Sequence, residues 1–398
     1  MLTSLALIFL VGLALAAICQ RLRLPRIIGM LMTGVLLGPY VLDMFDGSIL
    51  SISAELREMA LVIILIKAGL SLNLEDLRKV GRPAVLMSFL PALFEIAAFV
   101  LIAPMLLGVT RMEAAIMGAV LGAVSPAVVV PRMVQLMEKR YGTNKRIPQM
   151  ILAGTSLDDV FVIVLFSTFI SMAQGGSVQI MDFVSVPVSI VLGLLLGGVV
   201  GWALAWFFET NYSRQYLIRN SMKVIIVLGV SFLLLAVEDW LEGVLSVSGL
   251  LAIMSMALVL AMRSVPAVTE RLQEKYGKLW LAAEVILFVL VGAAVDIRYT
   301  LRAGGGAVLM IGVGLLFRCV GVWLCMLGTN LNSKERLYCM IAYLPKATVQ
   351  AAIGSVPLAL GLPCGNIVLS VAVLSILITA PLGAIGMDAA CQRLLTAE

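Results

Sequence analysis

The 398-residue sequence has no histidine, and only 13% of it is charged. A soluble domain carries about 25% charged and about 45–50% apolar residues. Here 62% is hydrophobic, with a mean hydropathy of +1.09. That balance argues against a soluble enzyme, a disordered regulator and a nucleic-acid binder. Without histidine, any response to pH falls to carboxylates or lysines in unusual surroundings. No nucleophile, metal-ligand or phosphate-binding motif is present, so no enzymatic role and no cofactor is expected. The cysteines (Cys19, Cys319, Cys325, Cys339, Cys364, Cys391) fall mostly in apolar runs without metal spacing and read as small packing residues. No positive charge precedes the apolar run Met1–Cys19, so it reads as a first helix rather than a signal peptide.

What is present is a series of long apolar runs between charged loops. The pattern predicts helices over 2–19, 27–43, 59–74, 83–107, 113–137, 148–172, 183–208, 221–237, 243–262, 279–297, 305–327, 335–360 and 365–388. A membrane helix needs about 20 apolar residues, so about 13 spans occupy most of the chain. The expected class is an all-α polytopic membrane protein in one transmembrane domain over 1–398. Of the 28 Lys and Arg, four (Arg57, Arg111, Arg298, Arg302) lie in loops of one side and three (Lys67, Arg318, Lys346) lie inside apolar runs. The other 21 lie on the opposite side, which the positive-inside rule assigns to the cytoplasm. This puts the N-terminus outside and the C-terminus inside.

The sequence matches itself at an offset of 223. Gly69 meets Gly292, Gly81 meets Gly304, Ala84–Met87 meets Ala307–Met310, and Leu93-Phe94 meets Leu316-Phe317. The offset pairs the third, fourth and fifth predicted helices with the tenth, eleventh and twelfth. An odd displacement of seven helices reverses the direction of crossing. Two inverted six-helix repeats are therefore expected, 1–182 and 221–398, with 183–208 as the linker helix.

Two runs carry interruptions at nearly matching places. Ala123-Val124-Ser125-Pro126-Ala127 breaks one, and Tyr343-Leu344-Pro345-Lys346-Ala347-Thr348 breaks its repeat mate. Proline removes a backbone donor and clashes with the preceding turn. Paired unwound segments present carbonyls and helix ends to an ion near the bilayer midplane. Pro126, Pro345, Lys346 and Thr348 thus mark two discontinuous, crossing helices. Lys346 can offset facing carbonyl ends.

Between them, Thr155-Ser156-Leu157-Asp158-Asp159 places two adjacent carboxylates inside an apolar run. A charge there costs about 2.5–3.5 kcal/mol on insertion scales, so the pair needs a function. Adjacent residues point about 100° apart on a helix, so one carboxylate can face an ion and the other a counter-charge. Thr155 lies one turn before Asp159 on the same face. Asp159, Asp158, Thr155, Ser125 and unwound carbonyls supply the oxygens a small hard cation takes. The same carboxylates accept protons, so cation and proton compete. Glu95 and Arg318 are repeat mates and are expected to pair. Arginine cannot deprotonate at working pH, which leaves Asp158 and Asp159 as proton carriers, with Lys346 and Glu95 as alternatives. Lys67 and Glu284 read as side chains reaching an interface, and Glu238, Asp239 and Glu242 as an outer loop.

Three segments resemble the NHA-type sodium/proton exchangers of the cation/proton antiporter superfamily. They are Gly122–Pro131, Ser156–Asp159 and Leu344–Gly354. The resemblance implies exchange of Na⁺ or Li⁺ for protons by an elevator-like motion. It also implies a homodimer in membrane lipid, each protomer having a dimerisation domain and a moving core. It marks Asp159 as the essential ion and proton site, with Asp158 beside it. Related bacterial antiporters with paired aspartates place a lysine where this chain has Arg318, a departure that bears on the number of protons per ion. The long N-terminal extension and cytoplasmic tail of some animal relatives are not in this sequence, so tail-based regulation is not expected. The expected function is Na⁺(Li⁺)/H⁺ antiport in a bacterial inner membrane, with no nucleic-acid partner. The rival readings are K⁺/H⁺ antiport on the same scaffold, sodium-coupled uptake of an organic anion, and a passive channel.

Overall fold

A computed structural model of the chain describes residues 1–22, 24–71, 81–174, 180–213, 219–241 and 247–396. Arg23, Arg78, Lys79 and Arg214, which are among the 21 charges counted on the cytoplasmic side, and Glu242 lie outside them. So do the side chains of Ser156, Leu157, Asp239, Arg298 and Arg302.

The described residues are helical almost throughout. In chain order the helices are α1 (Leu2–Arg21), α2 (Arg26–Leu37), α3 (Gly47–Ser51), α4 (Ser53–Ser71), α5 (Arg82–Met87) and α6 (Leu90–Leu107). There follow α7 (Arg111–Gly122), α8 (Pro126–Glu138), α9 (Ile147–Gln174), α10 (Ile180–Ser213), α11 (Asn220–Leu241) and α12 (Gly249–Arg263). The last are α13 (Pro266–Ala293), α14 (Ile297–Cys325), α15 (Ser333–Ala342), α16 (Thr348–Gly354), α17 (Val356–Ala359) and α18 (Gly365–Leu394). Seven helical stretches among the described residues are long and apolar enough to cross a membrane. Much of the outer surface is apolar: Met105, Leu316 and Trp206 are exposed at 86%, 67% and 63%. Such a surface is stable against lipid and not against water. The protein is an all-helical, multi-pass membrane protein.

Local chemistry explains where the helices depart from the apolar runs. The run 27–43 stops as a helix at Leu37, because Gly38 precedes Pro39 and takes the extended backbone that a residue before proline favours. The run 83–107 is divided between α5 and α6 by Ser88 and Phe89, just before Pro91. The predicted helix 279–297 begins earlier, at Pro266, because Thr269–Lys278 is amphipathic and continues the turn set by the proline. Glu238 does not lie in an outer loop. It sits in the last turns of α11, and its carboxylate accepts the Gly249 N–H at 2.9 Å, at the start of α12.

Two compact units emerge. One comprises Met1–Arg57, Asn73–Phe169 and Val285–Glu398; the other comprises Glu58–Leu72 and Ile170–Glu284. In the second, Gly193, Gly197 and Gly201 of α10 lie against Ser248, Ala252 and Met256. A Cβ on Gly197 would stand 2.0 Å from the Ala252 carbonyl oxygen. Close approach of backbones through small residues is how membrane helices pack without a hydrophobic driving force. Also in this unit, the Lys67 ammonium lies 5.9 Å from the centre of the Trp280 ring, and Gln273 donates to the Leu70 carbonyl. In the first unit α6 packs along α14, and α7 lies against α6. That unit contains every residue of the site described next.

Candidate functional site

Both interruptions are real breaks in the helices. α7 starts with a capping box, Thr110 with Glu113, and ends at Gly122; Ala123 is extended and α8 restarts at Pro126. α15 starts with a second capping box, Asn332 with Glu335, and ends at Ala342; α16 restarts at Thr348. Proline at the first position of α8 suits a restart, since its missing N–H would have had no partner there. The ring of Pro345 fills the space left by Gly383 of α18, where a Cβ would come within 2.3 Å of it.

A broken helix exposes carbonyls at one end and N–H groups at the other, and in an apolar interior each must find a partner. The carbonyls of Leu121 and Gly122, at the end of α7, accept from the Lys346 ammonium and the Arg318 guanidinium. The Ala123 carbonyl accepts from Gln350 Nε2 at 2.8 Å. Arg318 Nε donates to the carbonyl of Tyr343, the cap of α15, at 2.7 Å. Arg318 therefore closes the negative ends of both broken helices. On the donor side, Ser125 N–H reaches the Pro345 carbonyl at 2.9 Å. Lys346 N–H reaches Thr379 Oγ1 at 2.9 Å, and Ala347 N–H reaches Gln350 Oε1 at 2.7 Å. Val124 N–H donates to Asp158 Oδ2 at 2.8 Å.

The charged groups form one cluster. Arg318 Nη1 lies 2.7 Å from Glu95 Oε2, and Nη2 lies 2.9 Å from Asp158 Oδ2. Lys346 Nζ lies 2.6 Å from the same Glu95 oxygen. Glu95, Asp158, Arg318 and Lys346 are each no more than 1% exposed. Lys346 thus reaches no interface. Glu95 is shared by two cations, which the repeat alignment alone could not indicate.

Asp159 is at the margin of this cluster, 8% exposed. Among the described residues seven buried side-chain oxygens have no hydrogen-bond partner, and three of the seven are Ser125 Oγ, Asp158 Oδ1 and Asp159 Oδ1. An orphaned buried oxygen is rare and calls for an explanation, such as a bound ion. All three belong to the expected oxygen set. Thr155 Oγ1 donates to its own helix, at the Leu152 carbonyl 3.1 Å away, which leaves its lone pairs as acceptors. Thr348 is buried at the first residue of α16.

The sequence pattern gave no role to Gln350, Thr379 or Tyr343. Thr379 carries the weak signal of a hydroxyl within an apolar run. Tyr343 is legible only in three dimensions: the Arg318 guanidinium lies 5.7 Å from its ring centre, and its hydroxyl occupies the notch left by Gly154.

Comparison with known proteins shows the family. A family described as "Sodium/hydrogen exchanger, transmembrane" matches residues 5–390. The chain belongs to the sodium/hydrogen exchanger family. Human "Sodium/hydrogen exchanger 9B2" is 34% identical over 384 residues, covering 94% of this chain and 70% of the relative. Human "Sodium/hydrogen exchanger 9B1" is 31% identical over 396 residues, covering 94% and 73%. Among solved structures, the sodium proton antiporter MjNhaP1 of Methanocaldococcus jannaschii superposes with a TM-score of 0.84. That match covers 99% of this chain and 98% of the other at 21% identity, a likeness of fold. The exchanger is of the NHA type of the cation/proton antiporter superfamily, a family of transporters. Family and fold together make it a transmembrane cation/proton antiporter.

Proposed function

We propose that this exchanger carries Na⁺ or Li⁺ against H⁺ at the paired aspartates, with Asp159 as the carrier. The supporting observation is the set of three orphaned buried oxygens on Ser125, Asp158 and Asp159. Asp158 is committed through Oδ2 to Arg318 and to Val124 N–H, so it acts as a held anion. Glu95 is committed to Arg318 and Lys346. With all five groups ionised, Glu95, Asp158 and Asp159 against Arg318 and Lys346 leave a single negative charge. One monovalent cation or one proton neutralises it, and both together would leave an excess positive charge in an apolar interior. That is the physical basis of exchange. It also gives equal charge moved in each direction, so transport at fixed ion gradients should not respond to membrane voltage.

In this reading the chain makes 13 spans in two inverted repeats, 1–182 and 221–398, joined by 183–208. The broken spans 113–137 and 335–360 cross at the site. The contact between the repeat mates Glu95 and Arg318 supports a pseudo-two-fold axis close to them. The protein works as a homodimer in the bacterial inner membrane, N-terminus outside and C-terminus cytoplasmic. The unit that carries the cluster is the one that moves. Oxygen ligands suit any hard monovalent cation, and the choice of Na⁺ or Li⁺ over K⁺ rests on the sodium/hydrogen exchanger family.

Sodium-driven proton movement in proteoliposomes tests the assignment. Asp159→Asn, which preserves shape and removes the charge, should abolish it. Full activity in that variant refutes the site.

A further inference from the structure

The Gln350 amide links the two breaks. It is fully buried on α16, with Oε1 accepting from Ala347 N–H and Nε2 donating to the Ala123 carbonyl. Its orientation is dictated by its partners, since a backbone N–H only donates and a carbonyl only accepts. The Ala123 carbonyl and the Val124 N–H belong to one peptide group, which is planar and turns as a unit. The first is held by Gln350, the second holds Asp158 at 2.8 Å. Rotating the carbonyl away from Gln350 swings the N–H away from the carboxylate.

We propose that Gln350 is a positioning residue of the exchange site: it locks the Ala123–Val124 peptide plane and so aims Asp158, tying the start of α16 to the carboxylate pair. The proposal rests on the paired-aspartate reading above. Ser125 N–H on Pro345 joins the same two segments through backbone and the Lys346 ammonium on Leu121 through a side chain, so the amide is the contact that holds the Ala123–Val124 peptide itself.

The test compares Gln350→Met and Gln350→Glu with the wild type, in sodium-driven proton movement across a pH series. Methionine keeps the bulk and loses both bonds to backbone; the freed peptide then gives up the Val124 N–H bond to the Asp158 carboxylate, and the half-saturating sodium concentration should rise by about tenfold, the size of one hydrogen bond to a charged group. A neutral carboxylic acid can accept from Ala347 and donate to Ala123, whereas a carboxylate only accepts. Gln350→Glu should therefore work at acid pH and fail as pH rises, its profile displaced to the acid side. The charged groups of the cluster, Asp158 and Asp159 of α9, Glu95 of α6, Arg318 of α14 and Lys346, are the same in both proteins, as are Arg111 and Glu113 in the first turn of α7, which packs on α16. α18, packed on α16, brings Thr379 and carries its charges, Asp388 and Arg393, in its last turns. A wild-type half-saturation in Gln350→Met, or an undisplaced profile in Gln350→Glu, overturns the proposal. If the methionine variant fails to fold, the glutamate profile decides alone. Activity retained by Asp159→Asn is a separate result, which strikes the site assignment and leaves the Gln350 measurements to be read by themselves.

Discussion

Arg318→Lys keeps the charge and removes the fork. Arg318 places three nitrogens on four acceptors: Nε on the Tyr343 carbonyl, Nη1 on Glu95 and the Gly122 carbonyl, and Nη2 on Asp158. An ammonium is one nitrogen on a flexible stem and cannot occupy three positions. Glu95 keeps Lys346, and Asp158 keeps Val124 N–H, so neither acid is stripped. The two carbonyls are the losers, because both are buried ends of broken helices. Each buried acceptor left unpaired costs about 1–3 kcal/mol, so the pair costs about 2–6 kcal/mol. An unfolding entropy of about 2.1 cal/mol/K per residue gives about 0.8 kcal/mol/K for this chain. The melting temperature of the purified protein in detergent should fall by about 2–7 °C on that scale. Arg263→Lys, an exposed position at the end of α12, is the control. Melting of Arg318→Lys within about 1 °C of the wild type would show that the fork does not hold the two helix ends.

Other consequences follow from the same contacts. Glu95→Gln leaves Arg318 and Lys346 side by side without their shared anion, at a cost of about 3–5 kcal/mol; adding Lys346→Met should recover part of the lost thermal stability, and no recovery refutes the sharing. Exchanging the charges of Glu95 and Arg318 should fail even as a double variant, because the new acid would face Asp158 and the new base Lys346. If proton and cation compete for Asp159, the half-saturating sodium concentration rises about tenfold per unit fall in pH once the carboxyl is protonated, by mass action; a concentration independent of pH removes the competition. Gly197→Ala drives a Cβ into the Ala252 carbonyl and should cost about 1–3 kcal/mol by overpacking, read as a lower melting temperature, with unchanged melting refuting the tight α10–α12 contact.

Much of this protein was legible from residue order alone. Apolar runs follow from the energetics of lipid, so α1, α11 and α18 were predicted to within a few residues of their starts. A charge inside such a run is expensive wherever its neighbours lie, so Glu95, Asp158, Asp159, Arg318 and Lys346 announced themselves without coordinates. Prolines at matching places located the breaks, because a missing N–H is a local fact. Partnership was decided only by the folded chain. The repeat offset paired Glu95 with Arg318, but the second cation on Glu95, the fork of Arg318 across two helix ends, and the Gln350 bridge join residues separated by 25 to 251 positions. A one-dimensional pattern records the cost of burying a polar group. Which group relieves that cost depends on directions and distances that exist only once the helices have packed.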